Sequence, residues 1–144
     1  MHEDLSGSIE EPAPIETDAR EDIFLEGYYR NLYEDLYDEH PPHYHTVDWP
    51  TLNWYLMTRS LKLNLRTGYD SYWSRLSSRS MLQDIIELGP ESLSQKVKAV
   101  VEALDRQFIA MTRELGKPFL RPPENPDHWW YFREPLEEIS EPSE

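Results

Sequence analysis

Apolar residues begin to recur three and four apart at Asp22, with Leu25, Tyr28, Tyr29, Leu32, Tyr33, Leu36 and Tyr37 on one side of the chain. This spacing predicts an amphipathic helix of roughly 18 residues. It should close at His40, because Pro41 and Pro42 remove backbone donors and push the preceding residue out of helical space. A second helix is predicted from an Asp48 N-cap, with Pro50 in the first turn, to about Leu61, turning Trp49, Leu52, Tyr55 and Leu56 inward. The alternation Leu61, Leu63, Leu65 also suits a short strand, and the helix end is the preferred reading.

Gly68 interrupts the pattern and Asp70 then caps a third segment carrying Tyr72, Trp73 and Leu76. Ser77, Ser78, Arg79 and Ser80 break its apolar stripe, and Ser80 with Gln83 has the spacing of a capping box. Residues 70–88 therefore read as one kinked helix or two short ones, stopped by Gly89 and Pro90. A fourth helix is predicted from the Ser92/Gln95 capping-box spacing to the stop at Gly116 and Pro118. Within it Leu93, Val97, Val100, Leu104, Phe108, Met111 and Leu115 advance by 4, 3, 4, 4, 3 and 4, which keeps the stripe on one side of a nearly straight rod about 35 Å long. Shorter helices must cover such a rod. The last stretch opens Pro-rich and then sets Trp129, Trp130, Tyr131 and Phe132 in a row, too much apolar surface to leave in water. Docking on the chain's own body is the plain expectation, and a contact with a partner or second copy the alternative.

The expected fold is all-α: an irregular antiparallel bundle of four to five helices around one long helix. Residues 1–20 form a disordered acidic arm, 21–120 the helical domain, and 121–144 a Pro-rich, aromatic segment that docks on it, ending in an acidic tail. A chain of 144 residues suits one such domain.

Charge divides the chain unevenly. Residues 1–40 carry 13 acids and 2 bases, 41–120 carry 8 and 10, and 121–144 carry 7 and 2, within a net charge of −14. The acidity thus belongs to the ends, and the body is close to neutral. Such a balance disfavours nonspecific nucleic-acid binding, which needs Lys and Arg to neutralise phosphates. The absence of Cys excludes disulfides and thiolate chemistry and fits a reducing, cytoplasmic setting. No stretch is long and apolar enough for a spanning helix, and neither a signal peptide nor a lipidation motif is recognised, so no membrane association is expected.

Candidate chemistry is sparse. His40, His43 and His45 lie beside Asp38, Glu39 and Asp48, but imidazoles splayed along a Pro-rich loop match no established metal-ligand spacing, and no metal or cofactor is expected. Glu34, Asp35, Asp38 and Glu39 on the first helix, with Asp84 and Glu87 on another, could hold magnesium in a small helical phosphohydrolase. Acid pairs at these spacings are abundant among 28 acids, and their usual role is a solvated face. Five scattered glycines form neither a phosphate loop nor a nucleophile elbow. The one basic stretch, with Arg59, Lys62, Arg66, Arg75 and Arg79 interleaved with Tyr69, Tyr72 and Trp73, would suit single-stranded nucleic acid. Its charges are more simply matched by the acids of the first helix.

These patterns favour a non-catalytic binding protein over an enzyme or a nucleic-acid accessory protein. Nine Tyr and five Trp supply interface anchors. Tyr28, Tyr29, Tyr33 and Tyr37 alternate with Glu34 and Asp38 to make an acidic face suited to capping a basic protein surface, as inhibitors, immunity proteins and adaptors do. Trp129 and Trp130 are further expected contacts, and a homodimer is a competing use of the same surfaces.

Overall fold

The computed structural model describes residues 12–36, 47–62 and 68–136, excluding the side chains of Tyr29, residues 31–36 and Asp48. It is mainly helical: α1 spans Ala19–Leu36, α2 Asp48–Lys62, α3 Tyr69–Leu88 and α4 Glu91–Ala110. Strands β1 (Thr112–Glu114) and β2 (Arg133–Pro135) follow, with a single 3-10 turn at Trp129–Phe132 between them. No helix among the described residues is long and apolar enough to cross a membrane.

The core lies where α2, α3 and α4 pack pairwise. The α4 stripe contributes Leu93, Val97, Val101, Leu104 and Phe108, all buried. From α3 come Tyr72, Leu76, Leu82 and Ile85, and from α2 Trp54, Tyr55 and Met57. The inward face of α2 is thus rotated from the one predicted: Trp54 and Met57 are fully buried, while Trp49, Leu52 and Leu56 are half-buried. Helix α2 is anchored at Val47, whose carbonyl accepts from the Thr51 amide at 3.2 Å and the Thr51 hydroxyl at 2.7 Å.

Residues 77–80 do not interrupt α3, which is one helix. Ser78 and Arg79 face inward and find partners on other elements: the Ser78 hydroxyl accepts from Asn53 of α2 at 2.8 Å, and Arg79 is paired with Asp105 of α4. Ser80 is a mid-helix residue rather than a cap. Gly89 ends α3 at a point of close approach, since a Cβ there would lie 2.7 Å from the Ile85 carbonyl oxygen and 3.4 Å from Phe24 of α1. Gly89→Ala is therefore expected to cost about 1–3 kcal/mol by overpacking, read as a lowered urea midpoint with an unchanged slope.

Helix α4 stops at Ala110, about five residues short of the predicted Leu115, and runs about 30 Å. Arg133 explains the stop. Its guanidinium donates to the Ile109 carbonyl of the last turn at 3.3 Å and to the Thr112 carbonyl and hydroxyl just beyond it at 3.0 and 2.7 Å, while the Thr112 hydroxyl donates to the Phe108 carbonyl at 2.8 Å, so a cation is fixed at the helix's C-terminal end. The chain then runs extended, and β1 pairs antiparallel with β2 in the register Thr112↔Pro135, Arg113↔Glu134, Glu114↔Arg133. This small sheet departs from a purely helical reading.

Helix α1 begins at Ala19, within the stretch expected to be a disordered arm. Asp18 and Glu21 form a reciprocal cap: the Glu21 amide donates to Asp18 Oδ1 at 3.0 Å and the Asp18 amide to Glu21 Oε1 at 2.9 Å. Glu21 is fully buried, accepts a short hydrogen bond from Ser92 Oγ and lies 3.5 Å from Lys96 Nζ, which ties the start of α1 to the first turns of α4. Ile15 is buried just before it. The other residues of the expected arm, 1–11, lie outside the described residues.

Candidate functional site

A cleft of about 590 Å³ opens between α3 and the segment that returns from β1 to the 3-10 turn, with Tyr28 of α1 and Trp49 of α2 on its rim. Helix geometry places the α3 side of the wall. Trp73, Ser77, Ser80 and Asp84 advance by 4, 3 and 4, and Met81 lies four after Ser77, so one face of α3 supplies them all. The opposite side is Glu124, Asn125, His128 and Tyr131. These residues are held by the aromatic row after them: Trp130 is 1% exposed and its Nε1 donates to the Leu76 carbonyl and Ser80 Oγ, each at 3.2 Å. His128 stacks on the Trp130 ring at 4.5 Å between centroids, and Trp73 meets Tyr131 edge to face at 5.0 Å.

Ser80 is the polar hub of the cleft floor. Its hydroxyl lies 3.0 Å from both His128 Nδ1 and Tyr131 Oη in addition to the Trp130 donor. Because a hydroxyl offers one proton and two lone pairs, three partners use all of it. Among the described residues His128 Nε2 is buried with no hydrogen-bond partner. Asp84 accepts from the Tyr28 hydroxyl at 3.4 Å.

Burial shifts two titratable groups of the cleft, Asp84 and His128, toward neutrality. It raises the Asp84 carboxyl above the ordinary value of 3.8, against the opposing pull of His128 and the Tyr28 hydrogen bond. It lowers the His128 imidazole below 6.5, although Asp84, Glu87 and Asp127 pull the other way. The two couple to stability with opposite signs. His128 adds stability that is fully present above 6.5 and is lost as pH falls through its lowered folded-state value, whereas Asp84 adds stability present below 3.8 that is lost as pH rises through its raised value. Acidification from about pH 7 to below the His128 value should therefore lower the urea midpoint. His128→Gln should flatten that part of the profile, and an unchanged profile would remove His128 as its source.

The residues singled out in the sequence are distributed differently. Tyr28, Trp73 and Asp84 come together in the cleft. Trp130 is enclosed in the chain's own core and Trp129 is half-buried against Phe108 at 6.2 Å. The basic stretch does not form one exposed row. Arg79 is buried, Arg75 donates to Ser60 at 2.9 Å, Arg59 donates to the Tyr55 hydroxyl at 3.0 Å, and Lys62 is exposed. The described pairing of Arg79 is with Asp105 of α4 rather than with the first helix. Glu87 is exposed and accepts from Gln83 at 2.7 Å. No group of three or more His, Asp or Glu placed to hold a metal occurs among the described residues.

His40, His43, His45, Arg66, Tyr37, Asp38 and Glu39 lie outside the described residues, as do the side chains of Tyr29, Tyr33, Glu34, Asp35 and Asp48. His128 was missed by sequence reasoning. Its signal was adjacency: an imidazole that immediately precedes four consecutive aromatics is drawn into whatever pocket receives them.

Comparison with known proteins finds no matching family model, no matching curated sequence and no matching solved structure.

Proposed function

We propose that this chain is a non-catalytic binding protein that caps a basic surface of a partner protein, in the manner of an inhibitor, immunity protein or adaptor. One observation carries the reading: the cleft has aromatic walls and two carboxylates, Asp84 and Glu124, and no Lys or Arg among the described residues that line it. A carboxylate in a partly desolvated aromatic cleft favours a cationic guest, and the chain's net charge of −14 accelerates encounter with a basic partner. The sequence of α1 is itself acidic and tyrosine-bearing, which adds to the negative charge available to a basic partner.

Catalysis is disfavoured by the state of the Ser80–His128 pair, the hydroxyl–imidazole contact among the described residues. A nucleophilic serine needs a lone pair free to attack, and Ser80 Oγ has all of its hydrogen-bonding capacity occupied by His128, Tyr131 and Trp130. The test is affinity capture at moderate salt, followed by reconstitution with the purified captured protein. A basic partner is expected, with affinity falling about tenfold or more between 50 and 300 mM salt as the charges are screened. An acidic partner, or binding indifferent to salt, would overturn the reading. Light scattering on the isolated protein separates this from self-association, which would appear as a concentration-dependent dimer.

A further inference from the structure

Resting on that reading, we propose that the cleft is an arginine pocket, which takes the guanidinium of a partner's arginine side chain against its aromatic wall, its carboxylates and the His128 Nε2 lone pair. The unsatisfied imidazole nitrogen points to this. His128 is 8% exposed and Nε2 has no partner among the described residues. The Ser80 hydroxyl can accept from His128 Nδ1–H and Trp130 Nε1–H while donating to Tyr131, which leaves Nε2 as an acceptor waiting for a donor. Because burial lowers its pKa, the imidazole is neutral near pH 7 and does not repel a cation.

The wall distinguishes guanidinium from ammonium. A guanidinium is planar, weakly hydrated and stacks on aromatic faces while its N–H groups reach a carboxylate; an ammonium is compact and holds its water. The chain already stacks two of its own guanidiniums on rings at and behind this wall, Arg121 at 4.2 Å over Trp73 of α3 and Arg79 at 4.1 Å over the buried Trp130. A cleft of about 590 Å³ also admits the arginine with its flanking backbone.

The test uses the full chain and two blocked tripeptides, acetyl-glycyl-arginyl-glycinamide and its lysine counterpart, by calorimetry and by ¹⁵N chemical shifts of the His128 ring. The arginine peptide is expected to bind about tenfold or more tightly than the lysine peptide, and Asp84→Asn to weaken it about 10- to 100-fold. The lone pair should be found at Nε2 in the complex. Binding should fade as pH falls through the His128 pKa, which burial lowers most and which Asp84, Glu87 and Arg79 of α3 and Asp127 on its own segment then modulate. Ser74→Trp, at an exposed α3 position on the cleft, guards against misfolding as the cause, since it should block the peptide while leaving the thermal melt intact.

Equal binding of the two peptides overturns the proposal, as does arginine binding that survives both Asp84→Asn and Ser74→Trp. If neither peptide binds while a basic protein still does, the arginine pocket falls and the wider reading stands. If the arginine peptide binds and no basic protein does, the pocket stands and the wider reading falls.

Discussion

Asp105→Ala should lower the unfolding free energy by about 3–5 kcal/mol, a large part of what a domain of this size has to lose. The Asp105 side chain is 14% exposed and accepts three hydrogen bonds: Arg79 Nε at 2.9 Å, Arg79 Nη2 at 2.8 Å and Trp54 Nε1 at 3.0 Å. Arg79 is 5% exposed, so removal of the carboxylate leaves the guanidinium with Gln83 Oε1 at 2.9 Å as its one remaining hydrogen-bond acceptor and no counter-charge, and leaves the Trp54 indole N–H without its acceptor. The loss comes from the stranded charge more than from the attraction removed. Arg79→Met combined with Asp105→Leu should therefore recover most of it, because an apolar pair of similar volume carries no desolvation cost. The exposed pair Arg30–Glu26, at 3.0 Å, provides the contrast: Glu26→Ala should change stability by less than about 1 kcal/mol. Urea titrations of the three variants check all of this, and a loss under about 1 kcal/mol for Asp105→Ala would show that water reaches Arg79.

The same ion pair explains which parts of the fold were legible. Apolar periodicity marked α2, α3 and α4, and the Gly89–Pro90 stop fell where expected, because those signals are local. Ser78, Arg79 and Ser80 read as a surface interruption of α3 because their partners are remote: Asn53, Asp105 and Trp130 lie 25, 26 and 50 residues away. Buried polar residues with distant partners have no local signature. Strands of three residues are too short to show an alternation, so β1 was hidden inside a helical stripe that Met111 and Leu115 continued in number but not in structure, and β2 followed the aromatic row with no pattern of its own. The start of α1 was legible in principle, since Asp18 and Glu21 have the spacing of a capping box, but the acidic, Pro-bearing composition around them outweighed it.

Half of the site was visible in advance, and the half that was not depends on Trp130. Periodicity put Trp73 and Asp84 on α3, but nothing local says that a loop of some twenty residues brings His128 and Tyr131 back to face them. Trp130 does that, through its ring on His128, its N–H to Leu76 and Ser80 and the Arg79 guanidinium above it. Trp130→Ala should cost about 3–5 kcal/mol, because it removes a fully buried ring, opens a cavity and uncovers Arg79. It should also release the opposite wall of the cleft, so that ligand binding is lost together with stability and proteolysis between Leu115 and Arg133 accelerates. Trp130→Phe restores ring area without the N–H and should recover stability to within about 1–2 kcal/mol while leaving Ser80 one donor short. Trp129 is half-buried on the outside of the same turn, so Trp129→Ala should cost less and leave the cleft formed. Thermal melts paired with limited proteolysis separate the two positions. Equal, small losses at both would mean that the segment docks through its backbone pairing with β1 and that Trp130 merely fills space, in which case His128 owes its place beside Ser80 to the strand register rather than to the indole.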